Sequence, residues 1–218
     1  MRFIDLSQPL YAGCPNCPVH PAVAVELMDT HATSGWHTER ITLASHTGSH
    51  LDAPLHKLPG GKAISDFPLE AFAGPCVIVD LRDSQPNRRI DAATLAARLP
   101  ARLDGVIVLL ATGWGDRRRA DDAWHHQSPF LAPDGATLLV ERGIKGVGID
   151  HYSIGGSRDP DNSQTHINLL SHDVWIVEEL KFNADAFSAA PTATFMCLPL
   201  NTPGFSGIFC RPVLLVQP

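Results

Sequence analysis

Apolar residues in this chain come in short runs, separated by residues that favour turns. Six runs read as buried strands: Ile41-Thr42-Leu43-Ala44, Cys76 to Leu81, Val106 to Leu110, Val147 to Asp150, Val174 to Val177 and Val213 to Val216. The opening Met1-Arg2-Phe3-Ile4-Asp5 reads as a further strand. Between these runs lie helix-like stretches. Asp91 to Leu99 opens on an N-cap candidate, and Asp134 to Gly143 has a cap candidate in front and a glycine behind. Strands alternating with helices predict an α/β fold. The 18 prolines and 17 glycines are scattered, as expected for short elements joined by tight turns. No repeat or interdomain linker is visible, and 218 residues suit one domain spanning 1–218.

Composition narrows the picture. Apolar residues make up 44% and charged residues 18%, an ordinary globular balance. The net charge is −6. The densest basic group, Arg117-Arg118-Arg119, is flanked by Asp116 and Asp121, so no broad basic face for nucleic acid is expected. There is no apolar run of 18 residues, hence no expected membrane span. The N-terminus lacks a signal-peptide core, which points to the cytoplasm. Five scattered cysteines do not make a disulfide framework. Cys14 and Cys17 form a C-x-x-C, but Pro15 and Pro18 place it in a loop and no second pair completes a zinc ribbon. They read as ordinary thiols near a pocket.

Eleven histidines are about twice the number expected by chance. Three of them, His46, His50 and His56, share an eleven-residue window with Asp52. Gly48 and Pro54 make this window a loop after the Ile41–Ala44 strand. Any one of these residues alone reads better as a satisfied polar group, and Asp52 alone as a turn residue. Together they read as a metal site, because burying the carboxylate without a cation is costly. Imidazole and carboxylate suit zinc, manganese and iron(II) alike. Downstream, His166 begins a short apolar helix-like turn. Glu178 ends the run Val174–Val177 and needs a partner, either a metal or Lys181 or an arginine. Glu179 points to the opposite face if this is a strand, so only one of the two glutamates faces the site.

The run His46-Thr47-Gly48-Ser49-His50-Leu51-Asp52-Ala53-Pro54-Leu55-His56 resembles the HxGTHxDxPxH signature of the cyclase-like metal-dependent hydrolases, a family that includes bacterial arylformamidase (kynurenine formamidase) and isatin hydrolase. The resemblance extends to Asp5–Gly13, Thr112-Gly113-Trp114, Glu141–Asp150, the pair His166 and Glu178, and Leu198 to Pro212. It implies a swivelling β/β/α-type cyclase fold with a mixed sheet, assembled as a homodimer or homotetramer. It also implies a divalent metal, one or two zinc ions or manganese. In the two-ion form His46 and His50 bind one metal, His166 binds the other, and Asp52 and Glu178 touch both. His56 is then the proton donor and acceptor.

The implied reaction is hydrolysis of a small amide, lactam or lactone, with a metal-activated water attacking the carbonyl. His56 would take a proton from the water and pass it to the leaving group. A metal-dependent cyclase or dehydratase, and a non-catalytic small-molecule or metal-binding protein, are the alternatives. Cys17 stands where arylformamidases carry a tryptophan, which argues against N-formylkynurenine as substrate. His151-Tyr152 replaces a more usual Thr-Pro. Among the other residues, His125 and His126 read as surface or pocket-rim groups, His172 as structural and Trp114 as packing. Arg158 and Asp159 are weaker candidates for holding a substrate carboxylate.

Overall fold

Five of the six apolar runs, together with the opening strand, join one sheet. The computed structural model describes residues 1–217. Its first strands are β1 (Arg2–Asp5), β2 (Ala24–Asp29), β3 (Thr38–Thr42), β4 (His50–Asp52) and β5 (Ala73–Asp80). Strands and helices then alternate: β6 (Arg89–Ile90), α1 (Ala92–Ala96), β7 (Ile107–Ala111), α2 (Asp122–His126), β8 (Phe130–Leu131), α3 (Pro133–Glu141), β9 (Gly146–Ile149), α4 (Asp161–Leu170) and β10 (Trp175–Glu178). The chain closes with α5 (Ala184–Ala189), β11 (Thr194–Met196), β12 (Gly207–Phe209) and β13 (Val213–Val216).

Nine strands form one mixed sheet in the order β1-β13-β11-β5-β7-β9-β10-β4-β12. The central four, β5, β7, β9 and β10, are parallel, and antiparallel strands extend the sheet on both sides. Parallel neighbours require crossovers, which the helical segments between these strands supply. Alternate residues of β7 serve two cores. Ile107, Leu109 and Ala111 pack with Leu51, Phe72, Trp175 and Phe195, while Val108 and Leu110 pack with Leu95, Leu139, Leu169 and Ile176. Both faces are covered, which is why the central strands read as unbroken apolar runs.

Most sequence-derived elements fall within one or two residues of their expected ends. Asp91 caps α1 by accepting the Thr94 amide at 2.8 Å. Asp134 does not cap α3. The helix starts at Pro133, and Asp134 sits in its first turn, where its side chain accepts the Ala92 amide. The expected buried strand Ile41–Ala44 is wrong in both extent and burial. β3 spans Thr38–Thr42, is exposed along its whole length, and pairs with β2 in a two-stranded ribbon separate from the main sheet. Ile41 lies opposite Val25 across the ribbon, and both are exposed. Among the described residues no helix is long and apolar enough to cross a membrane.

Candidate metal and active site

The segment expected to be a loop is in part a strand. Residues 50–52 form β4, buried between β10 and β12, and only the flanks are irregular: a turn at 46–49 and a 3-10 turn at Pro54–His56. His50 and Asp52 make the strand polar, so its apolar pattern is too weak to signal β structure. Pairing does the positioning instead. Glu178 lies directly opposite His50, and Ile176 opposite Asp52. Side chains two apart on a strand share a face, so His50, Asp52 and Glu178 converge while Leu51 enters the core behind them. His166 joins them from within α4, not from the start of a turn as the sequence suggested.

Each histidine is held in a defined state. His50 Nδ1 lies 2.7 Å from the Gly48 carbonyl and His166 Nδ1 lies 2.8 Å from the Asn162 carbonyl. A carbonyl only accepts, so both Nδ1 atoms carry the proton and both Nε2 atoms turn to the cluster. There, His50 Nε2 is 3.4 Å from Asp52 and 3.6 Å from Glu178. His166 Nε2 is 3.8 Å from Asp52 and 3.5 Å from Glu178. Gly48, with φ of +66°, brings its carbonyl round to His50, and a side chain there would strike Leu10. His46 is set differently. Its Nδ1 donates to Asp52 at 2.6 Å and its Nε2 lies 3.0 Å from the Ser206 hydroxyl. Gly207 gives this ring its place, since a Cβ there would come within 2.5 Å of His46.

Charge in the cluster is unbalanced. Burial tends to lower the His50 pKa, but Asp52 and Glu178 outweigh it and push it up to about 10. The surrounding imidazoles hold Asp52 well below the usual carboxylate range despite its burial. Burial and the Asp52 charge raise Glu178. Burial and the neighbouring imidazoles lower His56 to about 4 against the pull of Asp52, so its ring is neutral at pH 7. His56 stacks on His46 with ring centroids 4.0 Å apart. Asp52 Oδ2 is buried with no hydrogen-bond partner. Nε2–oxygen gaps of 3.4–3.8 Å are too long for hydrogen bonds, yet they suit ligands that share an ion at about 2.0–2.2 Å. The donor set therefore fits a divalent cation. A metal on His46 would take the place of the proton that Nδ1 shares with Asp52.

The cluster opens into a cavity of about 320 Å³ whose walls include Cys17, His20, Lys57, His126, Tyr152 and Ser157. His126 is thus a rim residue as expected, while His125 turns to the Asn16 carbonyl. Tyr152 shapes the wall. His172 bonds its own helix, and Trp114 packs against Trp124. Arg158 and Asp159 line a neighbouring cavity instead, and Asp159 accepts the Ser163 amide. Glu178 takes the Ile154 amide on Oε1 at 2.7 Å, whereas Lys181 is exposed. Glu179 lies one residue past β10, where its backbone turns into the left-handed region at a φ of +52°, and its side chain pairs with Arg118. Sequence reading missed Ser206, Gly207 and Lys57. Ser206 and Gly207 carry no local signal, because they reach the site from a distant part of the chain, and Lys57 follows His56 directly but has nothing in its type to mark it as a wall residue.

His151, next to Tyr152, gives a pH-dependent prediction away from the cluster. Its Nε2 donates to the Trp124 carbonyl at 2.8 Å, and burial lowers its pKa to about 3. The unfolded chain takes up a proton near pH 6.5 that the folded chain refuses. This contribution to stability is therefore full above pH 6.5 and falls with pH towards about 3. Asp150, raised to about 6 by burial, works in the opposite direction between 3.8 and 6. Comparison with His151→Gln, which keeps a donor for Trp124, isolates the histidine. Between pH 7 and pH 5, in a metal chelator, the wild type should lose about 2 kcal/mol more unfolding free energy than the variant. Equal losses in urea titrations would refute this account of the histidine.

A mixed α/β domain that gathers histidines and carboxylates where strands meet a helix is the architecture of a metal-site protein. The sequence profile of the family described as "Putative cyclase" matches residues 4–155. The chain belongs to that family. Among solved structures, a protein described as "predicted metal-dependent hydrolase from Bacillus stearothermophilus" is similar at 29% identity and a TM-score of 0.77, covering 98% of this chain and 97% of that one. A "potential metal-dependent hydrolase with cyclase activity" shares 27% identity at a TM-score of 0.77, covering 100% and 98%. Isatin hydrolase A from Labrenzia aggregata shares the fold at a TM-score of 0.83, with 22% identity and coverage of 99% and 94%.

Proposed function

We propose that this chain is a metal-dependent hydrolase of a small amide, lactam or lactone. One observation carries the reading. Two buried imidazoles, each locked with Nδ1 donating to a backbone carbonyl, aim Nε2 at two buried carboxylates across gaps that no hydrogen bond fills. Such locking of the outer nitrogen fixes tautomer and ring orientation for a ligand. His46, His50, Asp52, His166 and Glu178 would hold one or two ions, zinc or manganese. A bound divalent cation supplies a water acidified from a pKa of about 16 towards about 7, together with polarisation of the scissile carbonyl.

The chain's own residues do the rest. His56, neutral and at the mouth of the cluster, takes a proton from the attacking water and returns it to the leaving nitrogen or oxygen. Asp52 and Glu178 bring negative charge to the cluster, and the Ile154 amide fixes Glu178. The cavity wall combines imidazole, hydroxyl and amide groups with apolar surface that includes Pro18, Val19 and Tyr152, which suits a compact ring or acyl group carrying a carbonyl. Metal analysis of the purified protein, run alongside turnover of isatin, N-formylkynurenine and simple lactones, tests the reading. Stoichiometric metal with turnover of any of these would support it. No metal after reconstitution with zinc and manganese would refute it.

A further inference from the structure

The run Arg117-Arg118-Arg119 has no role in the chemistry above, yet the side chain of its middle residue is turned inward. The Arg118 side chain is 6% exposed. Its guanidinium is used in three directions. Nε lies 2.7 Å from Glu179 Oε2, Nη1 donates to the Pro9 carbonyl at 2.8 Å, and Nη2 donates to the Pro15 carbonyl at 2.8 Å. Glu179 follows Glu178 at the end of β10 and is itself pinned. Its amide donates to the His151 carbonyl, and its carbonyl accepts from Ser49, within the histidine segment. The two proline carbonyls bracket an irregular stretch whose continuation, Cys17 to His20, lines the cavity. That stretch is closed on itself by the Gly13 amide and the Val23 carbonyl, and His125 adds one bond to Asn16.

A buried ion pair for stability alone would need only charge. Here Nη1 and Nη2 each hold a proline carbonyl while Nε sits against a carboxylate, and a lysine ammonium, a single point, cannot reach acceptors spread around three separate nitrogens.

We propose that Arg118 is a positioning residue: it holds the Cys17–His20 wall of the cavity at a fixed place relative to β10, and so sets how tightly a substrate is held. The kinetic part of this proposal rests on the hydrolase reading, whereas the clamp itself does not.

The test is Arg118→Lys in the full chain, loaded with zinc. Lysine keeps a cation facing Glu179 and gives up the fork. Cys14, buried beside Pro15, reports the clamp through its rate of iodoacetamide labelling, followed by peptide mass spectrometry. Cys14 should label about tenfold faster in the variant, with Cys76 and Cys197 at wild-type rates and zinc content unchanged. The double variant R118M/E179Q, which removes the clamp without stranding a buried carboxylate, should label in the same pattern. With isatin as the probe substrate, KM should rise about tenfold while kcat stays within about twofold. An unchanged Cys14 rate would overturn the clamp, as would parallel acceleration of all five cysteines. A fall in kcat at constant KM would overturn the role in substrate holding. If the wild type does not turn over isatin while Cys14 responds as expected, the clamp stands and the choice of substrate is at fault.

Discussion

Asp52→Ala is expected to abolish metal retention and all turnover. Asp52 is the point on which the cluster converges, contacting His46 at 2.6 Å, His50 at 3.4 Å and His166 at 3.8 Å. One of its oxygens is buried without a hydrogen-bond partner, so it is free for a cation. Without this carboxylate, an incoming ion meets imidazoles that repel it once protonated and a single glutamate to balance its charge. Changing an outer partner of a metal ligand costs about 10- to 100-fold in affinity, and removing a central ligand should cost more. Asp52→Asn is the stricter test, because it preserves shape and removes only the charge. Both variants should emerge from dialysis essentially free of zinc and manganese by mass spectrometry. A stoichiometric ion in either would exclude Asp52 as a ligand.

His56→Ala should leave the metal in place and reduce kcat by about 10²- to 10⁴-fold, the usual range for a positioned acid–base group. His56 sits in the short turn Pro54–His56, beyond the strand that carries His50 and Asp52, at the cavity rim, with its ring against the histidine cluster and part of the residue open to solvent. Its removal opens no cavity in the core, so folding and metal content should match the wild type. The stacked ring of His46 remains, and its Nδ1–Asp52 bond does not depend on His56. His56→Gln fills the same space without a titratable group and should be as slow as alanine. Loss of metal in both variants would move His56 from proton transfer to metal binding.

The two carboxylates at the end of β10 show how far sequence reading reached. Strand alternation led to the expectation that only one of Glu178 and Glu179 faces the site; the two do part, but because β10 ends at Glu178 and Glu179 takes a left-handed backbone, with φ of +52°. The partner of the other, Arg118, could not be read from the chain, because it is 61 positions away and its neighbours Arg117 and Arg119 look identical in sequence. The histidine window was recognisable by density and spacing. Its conformation was not, since a three-residue strand made of His, Leu and Asp has no apolar pattern. The run Ile41–Ala44 failed in the opposite way. Its apolar residues read as a buried strand, but the strand that forms, Thr38–Thr42, pairs with β2 alone and stays exposed.

The sequence by itself determined the α/β class, the central strands whose two buried faces make them continuously apolar, and the concentration of ligand-type residues between His46 and His56. These are local properties, set by composition and period over a few residues. Tertiary structure alone decided that β4 inserts between β10 and β12, which puts Glu178 opposite His50 and Gly207 against His46. It also decided that helix α4 brings His166 across the same face, and that Arg118 ties the N-terminal loop to the cavity. The physical reason is distance along the chain: β4 pairs with strands more than a hundred residues downstream. Such pairing depends on the packing of the whole sheet, and no short window of sequence encodes it.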